Sequence, residues 1–172
     1  MAVHHYHTTI EWTGNSGTGT TDYRAYRRDL VLRAPGKPDV PGSSDPAFRG
    51  DPARYSPEDL LVASLSACHM LWYLHLCATH GVAVIAYVDE AEGTMEVGAD
   101  GGGRFTSVTL RPRIRLAAGD PQTARELHHR AHELCFIASS VNFPVGVEPQ
   151  IDGPPPASSA APAPGSPSRP QP

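Results

Sequence analysis

The chain is poor in cysteine, in net charge and in long apolar runs, and each shortage excludes something. Three cysteines in 172 residues are an odd number and too few for a disulfide scaffold of this size. That economy fits a reducing compartment in which thiols are kept for chemistry or for packing. Fourteen basic against 18 acidic residues, a net charge of -4, leave no basic footprint, so nucleic acid is not an expected partner. One stretch, residues 57–80, approaches membrane-spanning length. Its acidic, capped start and its embedded His69 and His75 read as the core helix of a soluble protein, and no membrane partner is expected. Residues 1–7 lack the basic-then-apolar leader pattern, which leaves the cytoplasm as the simplest location. The Gly/Thr-rich run 13–20 lacks the Lys-Ser/Thr ending of a phosphate loop. No internal repeat is present.

What is there is enough for one domain with a real core, residues 1–152. Residues 153–172 turn to Pro, Ala and Ser with no aromatic, the composition of a disordered C-terminal tail. The organising element is the helix that opens at Ser56-Pro57-Glu58-Asp59. Ser56 suits the N-cap, Pro57 the first helical position, and the two acids the positive end of the helix dipole. Gly81 suits the left-handed stop. The body is apolar on nearly every face, which makes the helix central. Before it, Val3–Trp12 and Tyr23–Leu32 read as strands, followed by a Pro/Gly/Asp-rich connection over 35–57. After it, Val82–Val97 reads as one long strand with a bulge at Gly93. Asp100-Gly101-Gly102-Gly103 is a hairpin loop, and the return strand spans Phe105–Leu116. There Val108, Leu110, Ile114 and Leu116 alternate with Thr109, Arg111, Arg113 and Arg115, giving one buried and one wet face. Asp120-Pro121 starts a second helix with a stripe at Leu127, Ala131, Leu134 and Ala138. Helices and strands in this order predict an α+β fold.

A thiol in an apolar helix is ordinarily packing material. Here Cys68 lies in the first helix and Cys135 in the second, both toward the space between the helices. A close pair is compatible with that placement, though spacing does not prove it. Cys77, nine residues after Cys68, falls about 180° away around the helix and reads as core. His128, His132 and Cys135 at i, i+4 and i+7 share a helix face that could hold zinc, but no fourth ligand is evident.

The stretch Ser56-Pro57-Glu58-Asp59-Leu60-Leu61-Val62-Ala63-Ser64-Leu65-Ser66-Ala67-Cys68 resembles the Pro-Glu-x-Leu helix with its embedded cysteine in the OsmC/Ohr family. His132-Glu133-Leu134-Cys135-Phe136-Ile137-Ala138-Ser139-Ser140-Val141 resembles that family's second cysteine motif. The resemblance extends to about Ile151. It implies an OsmC-like fold, with two long central helices covered by antiparallel sheets, in an intertwined homodimer. The implied activity is thiol-dependent reduction of organic hydroperoxides and also of hydrogen peroxide, with no cofactor. Cys68 would be oxidised to a sulfenic acid that Cys135 captures as a disulfide. A dithiol, of lipoyl type in the family, would be the reductant. The implied partner of the thiolate is an arginine from an early strand, oriented by Glu58; Arg24 matches best, with Arg27 and Arg28 near. His69 follows Cys68 where the hydroperoxide-specialised branch has an aromatic residue, which points to the broader OsmC-like branch. A rival within the same fold is a small-ligand or metal-binding protein without peroxidase activity.

Overall fold

The computed structural model describes residues 2–153. The expectation of a disordered tail falls, Gly153 apart, outside the described residues. The first helix, α1 (Pro57–Thr79), begins as the sequence dictates. The Asp59 N–H donates to Ser56 Oγ at 3.1 Å, and the Ser56 N–H donates to Asp59 Oδ2 at 2.9 Å, a reciprocal capping box. At the other end, Gly81 has φ 73°, a left-handed turn that glycine adopts without steric cost.

The described residues form nine short strands in three sheets. β1 (Thr9–Trp12), β2 (Leu30–Arg33) and β3 (Val40–Gly42) form the first, antiparallel in that order. β4 (Ala83–Asp89), β7 (Pro112–Ala118) and β9 (Gln150–Asp152) form the second. β5 (Glu92–Val97), β6 (Gly103–Leu110) and β8 (Val145–Val147) form the third. The second helix, α2 (Pro121–Leu134), opens with the Asp120 side chain accepting from the Thr123 N–H at 2.8 Å. A 3-10 turn, Ala138–Ser140, follows it.

Several expected elements are shorter or divided. Tyr23–Asp29 is turn and coil rather than strand, because the Asp22 carboxylate caps the Arg24 N–H and Arg27 N–H folds back onto Gly14 O. The first strand is likewise confined to Thr9–Trp12, and the 35–57 connection contains β3. The expected strand Val82–Val97 breaks at Glu90-Ala91, and the return strand breaks at Arg111; at these two corners the chain changes sheets. Asp89 holds the corners together by accepting from the Arg111 N–H at 2.7 Å. Gly93 is no bulge. It is glycine because a Cβ there would lie 2.6 Å from a Phe105 ring carbon and 2.7 Å from a Val62 methyl. The second and third sheets are mixed rather than purely antiparallel, since β8 and β9 return after α2 and pair parallel to β6 and β7.

The alternating strand is buried where its pattern places it: Val108, Leu110, Ile114 and Leu116 are all enclosed. They divide between two cores. Leu65 packs with Val108 and Leu110 under the third sheet. Tyr73, Leu76 and Cys77 pack with Ile114, Leu116, Leu127 and Ala131 between the second sheet and α2. Neither core includes a residue of β1, β2 or β3. α1 buries one stripe, Leu65, His69, Tyr73, Leu76 and Cys77, although its composition is apolar all round. Its length and composition would also allow it to cross a membrane, yet its buried stripe seats it as the shared wall of two cores.

Candidate functional site

Two helical stretches bring the chemistry together. Cys68 lies midway along α1, half-buried, and Cys135 caps the end of α2, 1% exposed. α2 ends at Leu134, one residue before Cys135, which leaves the helical path and whose sulfur accepts from the Ala138 N–H at 3.4 Å. Burial pushes the Cys135 thiol up to about 11, and the adjacent Cys68 adds to the rise. The two cysteines are thus neighbours in space with different characters, one accessible and one held protonated. Cys77 is walled into the core, where burial pushes its thiol up as well.

The surface beside Cys68 is apolar and aromatic. Leu71, Trp72 and His75 follow Cys68 at i+3, i+4 and i+7 and so share its face. They line a shallow recess of about 260 Å³. Phe136, next to Cys135, sets its ring edge-on to Trp72 at 5.5 Å. Leu71 at 64% and Phe136 at 68% exposure leave this wall open to solvent in the single chain. Sequence reasoning did not single out Trp72 and Phe136; their places at i+4 of one cysteine and i+1 of the other were the available signal.

Glu58 belongs to a separate, larger groove of about 750 Å³, whose walls include Ser66, Met70, Tyr87, Asp89 and Phe105. Its Oε2 is buried without a hydrogen-bond partner. Asp45, Asp59, Asp89 and Glu92 also line the groove, and among the described residues no basic side chain does. The arginines expected near Cys68 lie elsewhere in the same chain. Arg24 is exposed on a turn. Arg27 pairs with Asp29 at 3.0 Å. Arg28 sits over the rings of Tyr23 and Tyr26 and donates to both of their carbonyls. The structure therefore brings Cys68 and Cys135 together and leaves Glu58 and Arg24 apart.

The expected zinc face is organised differently. His128 turns to His69 on α1, with His128 Nδ1 and His69 Nε2 2.9 Å apart. The pair is fully enclosed, and His128 stacks on Tyr73 with ring centroids 3.9 Å apart. Burial pushes His69 down to about 4 and His128 down to about 3, with nearby His132, Arg125 and His129 opposing a further positive charge. Among the described residues, no group of three or more His, Cys, Asp or Glu is arranged to hold a metal ion.

The family model for OsmC-like proteins matches residues 50–150, which span α1, both cysteines and the strands between them. The chain belongs to the OsmC-like family. An OsmC-like protein of unknown function from Vibrio cholerae is 30% identical, with a TM-score of 0.78, over 86% of this chain and 100% of its own. An organic hydroperoxide resistance protein from Legionella pneumophila matches at 14% identity and TM-score 0.61, over 88% of this chain and 98% of its own. One from Elizabethkingia anophelis matches at 14% identity and TM-score 0.60, again over 88% and 98%. At those identities the last two show a shared OsmC-like fold. No curated protein matches the chain.

Proposed function

We propose that this OsmC-like protein is a cysteine-based peroxidase that reduces organic hydroperoxides, and hydrogen peroxide as well, in the cytoplasm. The observation that carries the reading is the pairing of a half-exposed Cys68 with a buried, protonated Cys135 beside an open aromatic wall. The Cys68 thiolate attacks one peroxide oxygen, the O–O bond breaks, and the alkoxide leaves as an alcohol after taking a proton. Cys68 is left as a sulfenic acid. The Cys135 sulfur then attacks the Cys68 sulfur, hydroxide leaves with the thiol proton as water, and a Cys68–Cys135 disulfide remains. A dithiol of lipoyl type supplies two electrons and two protons to restore both thiols. A thiol held up near 11 does not compete for peroxide, so the two cysteines keep separate tasks.

The site is completed by a second copy of the chain in this reading. Cys68 is too far along α1 for the helix dipole to hold its thiolate. A cation has to come from elsewhere, and the same chain's Arg24, Arg27 and Arg28 have other settings. An arginine from the partner's 22–28 turn, Arg24 first, would reach the acidic groove and pair with Glu58, whose Oε2 lacks a partner. The exposed Leu71–Phe136 wall and the coreless first sheet support the same homodimer.

The test is consumption of an alkyl hydroperoxide and of hydrogen peroxide with a small dithiol, run on wild type and on Cys68→Ser, Cys135→Ser and Cys77→Ser. Turnover is expected to vanish with Cys68→Ser. Cys135→Ser should accumulate sulfenic acid, and Cys77→Ser should behave as wild type. A fully reduced wild type that consumes neither peroxide refutes the proposal.

A further inference from the structure

α2 forms one wall of a further recess. It lies between the helix and the strand-and-turn segment 145–149, encloses about 360 Å³, and is lined by Arg125, His128, His129 and His132 on one wall and by Val145, Val147 and Pro149 on the other. Among the described residues, no carboxylate lines it. Arg125 is fixed at its edge by a long bond from Nη1 to Pro149 O, 3.4 Å.

Inside the recess, His128 is 3% exposed and its Nε2 is buried with no partner. Its other nitrogen is engaged: Nδ1 faces His69 Nε2 at 2.9 Å. A neutral imidazole has one donor and one acceptor nitrogen, and the bond made by one sets the role of the other. When His69 donates to His128 Nδ1, the proton of His128 sits on Nε2. An N–H left unsatisfied in a buried position is costly, and a ligand that accepts from it recovers that cost. His132 Nδ1 is buried and unpaired in the same way. A cation would meet the guanidinium of Arg125 and no compensating acid. An anion meets a planar guanidinium fork and an imidazole N–H, the donor set that suits a carboxylate or a phosphate.

We propose that the recess between α2 and residues 145–149 binds a small oxyanion, a carboxylate or a phosphate, with Arg125 and the Nε2–H of His128 as its donors and His69 setting the tautomer. The site is independent of cysteine chemistry and would stand if the peroxidase reading fell. It also touches that chemistry at one remove, since His69 follows Cys68 directly in α1.

Calorimetric titration of the whole chain with inorganic phosphate, and separately with acetate, at constant ionic strength against chloride, tests it. One saturable site per chain is expected for phosphate, for acetate or for both, and the responding anion names the headgroup. Arg125→Gln, an exposed substitution, is expected to weaken binding by about 10-fold or more, the loss of one charge-assisted donor. Arg130→Gln removes the same charge from α2 outside the recess and should leave the affinity unchanged. Two-bond 1H–15N spectra should show His128 protonated at Nε2 and its resonance moving with anion. No saturation at millimolar anion, equal loss in both arginine variants, or an unmoved His128 resonance would each overturn the proposal.

Discussion

Acidification should unfold this protein early, through the two imidazoles buried between its helices. In the unfolded chain, His69 and His128 take up protons near the ordinary imidazole value of about 6.5. In the folded chain, burial holds them neutral down to about 4 and about 3. Between those limits the unfolded state binds more protons, so stability is full above about pH 6.5 and falls as pH falls. Each group loses about 1.4 kcal/mol per pH unit in that window, so at about pH 5 the two together remove about 4 kcal/mol. That is a large share of the 5–15 kcal/mol typical of a domain. Urea unfolding followed by circular dichroism should show the midpoint dropping by roughly 2 M between pH 7.5 and 5, at about 2 kcal/mol per molar urea. Imidazole C2–H shifts of His69 and His128 should stay flat over the same range. The two groups meet nitrogen to nitrogen at 2.9 Å and face His132, Arg125 and His129, so protonating one makes the other harder to protonate. Either imidazole titrating near 6.5 in the folded protein, or a midpoint that does not move, would refute the reasoning.

Thiol labelling should separate the cysteines. With Cys135 held up at about 11, roughly one molecule in ten thousand carries its thiolate at pH 7. Iodoacetamide followed by peptide mass analysis should therefore mark Cys68 well before Cys135 and Cys77; simultaneous labelling would contradict this. Gly93→Val should lower stability by about 1–3 kcal/mol, because the new side chain meets Phe105 and Val62, and an unchanged melting temperature would show the contact to be yielding. Leu65→Ala, at a side chain with no exposed surface between α1 and the third sheet, should cost about 2–5 kcal/mol by urea denaturation. Arg111→Ala breaks ion pairs to Glu92 and Glu148 that are largely solvated, and the same assay should register little or no change; a clear drop in midpoint would show the pairs to be structural.

The elements with strong local signals were legible in the sequence. The Ser56-Pro57 and Asp120-Pro121 starts fix their helices through hydrogen bonds made within four residues, and the Val108–Leu116 alternation maps directly onto buried side chains. What was not legible depends on contacts distant in the chain. The corners at Glu90-Ala91 and Arg111 interrupt runs of good strand residues, and what breaks them is Asp89 reaching across 22 positions. The parallel pairing of β8 and β9 is likewise decided by where α2 delivers the chain. Within the site, the two cysteines were identified from their motifs, and the structure places them side by side. His128 was noticed as part of a helix face, but its true partner, His69, is 59 residues away on another helix. Periodicity on one helix cannot reveal a pair formed between two.

The first sheet has a consequence for how the chain reaches its final order. β1, β2 and β3 precede α1 in the chain, yet among the described residues they share neither core, and all four residues of β1 are exposed. A lone bridge, Gly42 to Tyr55, ties the sheet's edge to the segment before α1. This segment is therefore the last that its own chain can secure. In the proposed homodimer its ordering is a second-order event, fast in concentrated protein and slow in dilute solution. Dilution alone should loosen residues 9–42 while the two cores hold, and amide exchange in those strands should depend on protein concentration.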